Sequence, residues 1–130
     1  MTPSGNPPTT KKCPPCLSEI PIKATRCGHF VFTAMQIALD PDTNQLVGDD
    51  HADQAHRCLR NVQAILEAAG SSLAGALKVT VYLTDMAAFG AVNEVYADFF
   101  PDDPPARAVV EVRALPRGAL VAMEATAATH

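Results

Sequence analysis

Ala55, Cys58, Leu59, Val62, Ile65, Leu66 and Ala69 recur at steps of three and four residues. That spacing draws one apolar stripe down an α-helix and leaves its other side polar. A helix with a single stripe must lay it against a sheet or another helix, so the pattern commits the chain to a layered fold. Asp49, Asp50 and Asp53 suit the positive N-terminal end of such a helix, and Gly70 offers the left-handed residue that stops one.

Strand-like runs flank this helix. Ile22 to Arg26 and Phe30 to about Ile37 read as two strands with a turn at Cys27-Gly28, and Asp40-Pro41-Asp42-Thr43-Asn44 is a strong turn before a short strand at Leu46-Val47. Lys78 to Leu83 is rich in β-branched residues. Asp85 can cap a second helix whose face is Phe89, Val92, Val95 or Tyr96, and Phe99; Pro101 and Pro104-Pro105 end it. Arg107 to about Ala114 and Leu120 to about Ala127 are the closing strands, and the short Pro116-Arg117-Gly118 joint suggests an antiparallel hairpin. The expected fold is α+β, a mixed sheet of about six strands with two helices on one face. The other face carries Val, Ala, Thr and Met where water should be, which predicts burial against another subunit.

Composition narrows the function classes. The chain's 130 residues are 48% hydrophobic, enough for one domain with a core. No apolar run reaches about 18 residues, so no membrane span is expected, and no secretory signal follows the N-terminal basic residues. The net charge of −4 comes with scattered Lys and Arg and no tryptophan, which disfavours nucleic acid as a partner. Residues 1–21 hold six of the eleven prolines and read as a flexible leader; residues 22–130 form the domain. Cys13, Cys16, Cys27 and His29 can be written as a zinc site, but Cys27 and His29 flank a strand start and no second close ligand pair follows. The default is no metal and unpaired thiols in a reducing cytoplasm, with Cys58 a core residue on the helix stripe.

One side chain carries a chemical suggestion. Arg107 follows Pro104-Pro105-Ala106 and opens the run Ala108-Val109-Val110-Glu111-Val112. The prolines fix its backbone approach, and a guanidinium offers a planar fork that matches a carboxylate. The placement points to capture of a small organic acid; the plainer alternative is a surface arginine at a strand start.

The residues also resemble a known family. Gly28-His29-Phe30-Val31-Phe32, then Gln36-Ile37-Ala38-Leu39-Asp40-Pro41 and the helix Asn61 to Gly70 come first. Lys78 to Met86, Val92-Asn93-Glu94-Val95-Tyr96 and Phe99-Phe100-Pro101 follow. Pro105-Ala106-Arg107, Val110-Glu111-Val112, Leu115-Pro116 and Glu124-Ala125 complete the set. In this order they resemble the RidA family (YjgF/YER057c/UK114) of enamine and imine deaminases, over about Ile22 to Ala127.

The resemblance implies a chorismate-mutase-like subunit, a homotrimeric barrel with clefts between subunits, and hydrolysis of imine or enamine acids to 2-keto acids and ammonia without a cofactor. It implies that Arg107 binds the carboxylate. Asn93 matches a cleft asparagine, or is a solvent-facing or capping amide; Phe89 matches a cleft wall, or packs in the core. Val109 shares a sheet face with Arg107. Three positions depart from the family pattern. Met35, in Ala34-Met35-Gln36, stands where the family commonly has glycine, and so fills part of the pocket or adds apolar wall. Pro21 takes the place of a tyrosine. Ala122 takes the place of an acid that positions water, while Glu124, two residues on, matches a neighbouring glutamate whose role is structural or, after a local shift, catalytic. His29, His51 and His56 are alternative acid–base groups. A trimer that binds small carboxylates without turning them over is the alternative reading.

Overall fold

The computed structural model describes residues 10–12, 19–21 and 23–130. Cys13 and Cys16, and with them the zinc alternative, lie outside these residues, as does most of the 1–21 leader. Within that leader, β1 (Thr10–Lys12) and β2 (Glu19–Pro21) pair antiparallel with each other. The chain continues through β3 (Ala24–Cys27), β4 (Phe30–Thr33), β5 (Gln36–Ile37), α1 (His51–Ala68), β6 (Ala76–Leu83), α2 (Phe89–Phe99), β7 (Ala106–Glu111) and β8 (Val121–Ala128). A six-stranded sheet results, in the order β3-β4-β8-β6-β7, with β5 alongside β8. Only β6 and β7 run parallel.

The stripe of α1 is buried along its whole length, from Ala55 to Ala69. It packs with Val92 and Tyr96 of α2 on one sheet face, over Val31, Val79, Val81, Leu83, Val121 and Met123. This is the expected α+β layering. The Asp50 side chain accepts from the Asp53 N–H at 2.8 Å and caps α1. Gly70, at φ +86°, ends it. The turn at Asp40 is closed by its own carboxylate, which accepts from the N–H groups of Asp42 and Thr43. Those backbone bonds hold the Asp40 carboxyl below its usual range.

Three expectations are corrected. The strand expected over Phe30 to Ile37 breaks at Ala34-Met35 into β4 and β5, and Leu46 makes only an isolated bridge to Leu39. More consequentially, β7 and β8 are not a hairpin: β6 lies between them. A strand that follows a helix on the same sheet face returns parallel to the strand before it, so β6-α2-β7 sets β7 at the edge. β8, buried at five of its eight positions and half-buried at the others, takes the interior place on the other side of β6. The connection 112–120 passes around the end of β6, where Val112 N–H donates to Leu83 O and Thr84 N–H to Leu120 O.

Register fixes which face each side chain takes. Arg107 and Val109 pair with Val79 and Val81, and therefore point to the helix side. Ala122 and Glu124 pair with Tyr82 and Thr80, and therefore point to the face without helices. Phe30 and Phe32 share that open face and are 46% and 45% exposed, large apolar groups that no element among the described residues covers.

Candidate active site

Arg107 leaves the first turn of edge strand β7 and lies across α2. Phe89, Asn93 and Tyr96 are spaced four and three residues apart, so they form one face of that helix. The guanidinium carbon sits 5.3 Å from the Phe89 ring centre and 4.8 Å from that of Tyr96. Between the two rings, Arg107 Nη1 donates to Asn93 Oδ1 at 2.5 Å. Each ring contact is worth roughly 0.5–1 kcal/mol at an exposed position, so the plane of the fork is held rather than free.

The hydrogen bond also fixes the amide. Arginine has no acceptor, so Asn93 must turn its carbonyl toward it and leave Nδ2 to donate elsewhere. The open side of the site therefore presents N–H groups from both residues. Among the described residues no carboxylate pairs with Arg107. The surrounding cleft, about 370 Å³, is completed by Tyr96, Ala97, Phe100, Pro104 and Pro105. A positive, donor-only end on an otherwise apolar cleft suits a carboxylate that carries an apolar remainder.

Tyr96 is the member of this site that sequence left undecided between helix faces. Its ring is buried and stacks on Phe100 at 4.7 Å. Its hydroxyl is inaccessible and has no hydrogen-bond partner among the described residues. Burial pushes its pKa up, with the Arg107 charge opposing in part. A buried hydroxyl without a partner is a cost of about 1–3 kcal/mol. Tyr96→Phe is accordingly expected to leave thermal stability unchanged or raise it by about 1 kcal/mol, measured by denaturant unfolding. A clear loss of stability would mean that the hydroxyl is satisfied after all.

The remaining sequence candidates fall elsewhere in the chain. Val109 lies two residues beyond Arg107 on the same face, half-buried against the core. Met35 sits exposed in the break between β4 and β5, with its carbonyl accepting from Gln36 Nε2. Ala122 is fully buried on the opposite sheet face, between Ile37 and Tyr82. Pro21 closes β2. One chain thus brings Arg107, Asn93 and Phe89 together, and does not bring Met35 or Ala122 to them. Glu124 accepts from Tyr82 Oη at 2.7 Å on the open face, and this bond is the main cause of the raised Tyr82 pKa. His51 bonds Thr84 Oγ1 at 3.2 Å and His56 stands edge-on to Phe99, both away from the cleft. Burial pushes the Cys58 thiol up to about 12, as befits a core residue.

Fold and site together define an α+β subunit that holds a guanidinium, clamped by a helix, at the open edge of its sheet. The family model described as Endoribonuclease L-PSP matches residues 22–129. The chain belongs to this family, the RidA or YjgF family. It is 50% identical to a RutC family protein of Pyrococcus horikoshii over 105 residues, covering 81% of this chain and 83% of that one. It is 39% identical to mouse 2-iminobutanoate/2-iminopropanoate deaminase over 119 residues, or 92% and 87% of the two chains. Among solved structures it superposes on Escherichia coli TdcF with bound serine at a TM-score of 0.79 and 35% identity, over 92% and 94% of the chains.

Proposed function

We propose that this protein hydrolyses imine and enamine acids of the 2-aminoacrylate and 2-iminopropanoate type to 2-keto acids and ammonia, in clefts between the subunits of a homotrimer. The observation that carries the reading is the fixed guanidinium with a donor-only face. The name of the mouse relative and the serine held by TdcF support it.

The chemistry asks mainly for positioning. An enamine first takes a proton on carbon and becomes the iminium ion, which is the protonated imine. Water then adds to the iminium carbon: the C–O bond forms, the π pair of C=N moves onto nitrogen, and a proton passes from the added water to that nitrogen. The C–N bond breaks and ammonia leaves with the pair of that bond, while the O–H pair closes the C=O bond and the hydroxyl proton passes to solvent. Arg107 and Asn93 hold the carboxylate, so the imine carbon occupies one place relative to the attacking water. No group with a pKa near neutrality lines the cleft in one chain. A reaction with an already electrophilic substrate tolerates that.

The open sheet face supports the proposed trimer. Exposed Phe30 and Phe32 call for cover, and a neighbouring copy is the means by which exposed Met35 reaches a cleft that holds Arg107, whereas Ala122, fully buried within its own chain, offers such a cleft no surface. Free Cys27 and Cys58 fit a cytoplasmic setting, and no helix among the described residues is long and apolar enough to cross a membrane.

The test is direct. Imines generated in situ from alanine, 2-aminobutyrate and leucine by an amino-acid oxidase are expected to disappear faster with the protein than without it. One observation favours a second reading, a trimer that binds carboxylates without turnover: Ala122 supplies no acid, and Glu124 is already bonded to Tyr82. Carboxylate binding with no acceleration for any imine would select that reading.

A further inference from the structure

We infer that the cleft beside Arg107 contains an apolar side-chain subsite, built by Ala97, Phe100, Pro104 and Pro105 against the Tyr96 ring, and that the acids it prefers carry a branched or aromatic side chain of four carbons or more. The inference names the substrate class of the site proposed above and rests on Arg107 as the carboxylate holder.

The donors, Arg107 and Asn93, lie together and fix where a carboxylate goes. The other side chains that line the 370 Å³ are apolar, because the buried Tyr96 hydroxyl is inaccessible and Tyr96 offers the cleft only its ring. Pockets for ligands of drug size begin at about 300 Å³, so a three-carbon acid leaves most of this cleft unfilled. A hydroxymethyl side chain fits worse, since the apolar end offers it no partner. A phenyl or isobutyl group removes its own apolar surface and that of the wall from water together.

The wall is built to keep its shape. Phe100 is buried and stacked on Tyr96. Pro104 and Pro105 have fixed φ and lie in the segment that joins α2 to β7, so they give the cleft a rigid part of its lining. Ala97 is the smallest member, one helical turn beyond Asn93 and exposed on α2. Its missing bulk keeps the subsite open, which makes it a specificity-determining position.

Equilibrium binding of the stable 2-keto acids tests this without reference to turnover. Calorimetric titration of the full chain with pyruvate, 4-methyl-2-oxopentanoate and phenylpyruvate is expected to give affinities that rise along the series. Phenylpyruvate should bind at least tenfold tighter than pyruvate, since each buried methylene is worth about a fourfold gain. Ala97→Phe, or the milder Ala97→Leu if the first unfolds, is expected to bring that ratio close to one. Equal affinities in the wild type, or a preference that survives both substitutions, overturns the subsite. Hydrolysis is scored separately. A protein that hydrolyses 2-iminopropanoate but does not distinguish pyruvate from phenylpyruvate loses the subsite and keeps the deaminase assignment. One that shows the Ala97-dependent preference without hydrolysis keeps the subsite and loses that assignment.

Discussion

Arg107→Ala lowers kcat/KM for imine acids by a factor of about a hundred or more, and weakens keto-acid binding in parallel. A charge-assisted hydrogen bond is worth roughly 1.5–3 kcal/mol, and a carboxylate on this fork makes more than one, while a hundredfold corresponds to only about 2.7 kcal/mol. Asn93 cannot substitute, because it is neutral and its carbonyl loses its donor along with the arginine. Arg107→Lys restores little: an ammonium keeps the charge but neither spans the slot between the Phe89 and Tyr96 rings nor presents a planar fork. Stability should fall by no more than about 2 kcal/mol, the worth of its two exposed ring contacts, since Arg107 is outside the core. Steady-state rates on an oxidase-generated imine, with unfolding curves as control, read both quantities. A variant within threefold of wild type on every imine acid would remove Arg107 from the site.

Phe32→Asp is expected to dissociate the proposed trimer and to abolish the proposed turnover with it. Phe32 stands 45% exposed on the face without helices, opposite Thr25 on β3 and Thr126 on β8, so the single chain loses no core contact by the change. In an assembly that covers this face, the new carboxylate has to be desolvated without a partner, which costs several kcal/mol per interface. The expected product is a folded monomer of 13.7 kDa, seen by size exclusion with light scattering, with native circular dichroism and imine hydrolysis near background. A Phe32→Asp protein of wild-type size and rate would mean that the open face lies outside the interface.

How much of this was legible in the sequence depended on whether a feature is local. The α1 stripe was, because a 3.6-residue period is visible in the sequence itself and its burial follows from being a stripe. Arg107 was also visible, through the prolines that precede it. Its clamp was half visible: Phe89, Asn93 and Tyr96 stand at helical spacing, but the ambiguity between Val95 and Tyr96 hid the second ring. Phase taken from Phe89 alone would have settled it. The separation of β7 from β8 was not visible, because a short connection favours a hairpin and only the competition for the interior place beside β6 decides otherwise. Nor was it visible that Arg107 and Ala122 lie on opposite faces. Alternation along one strand says which neighbours agree, whereas register between strands says which face they share. The break at Ala34-Met35 carries no Gly or Pro to announce it.

The interior position of β8 has a consequence for how the protein is made. β4 pairs with β8 across almost the whole length of the domain, and β6 needs β8 to fill one of its two sides. A ribosome that has delivered residues up to Glu111 has supplied both helices and seven of the eight described strands, yet the sheet still lacks the strand that joins its two halves. Until residues 121–128 emerge, β3-β4 and β6-β7 are separate ribbons with unsatisfied edges, held only by the helices above them. Folding is therefore dominated by late, long-range contacts, and the nascent chain has reason to need protection from its own exposed strands while synthesis finishes.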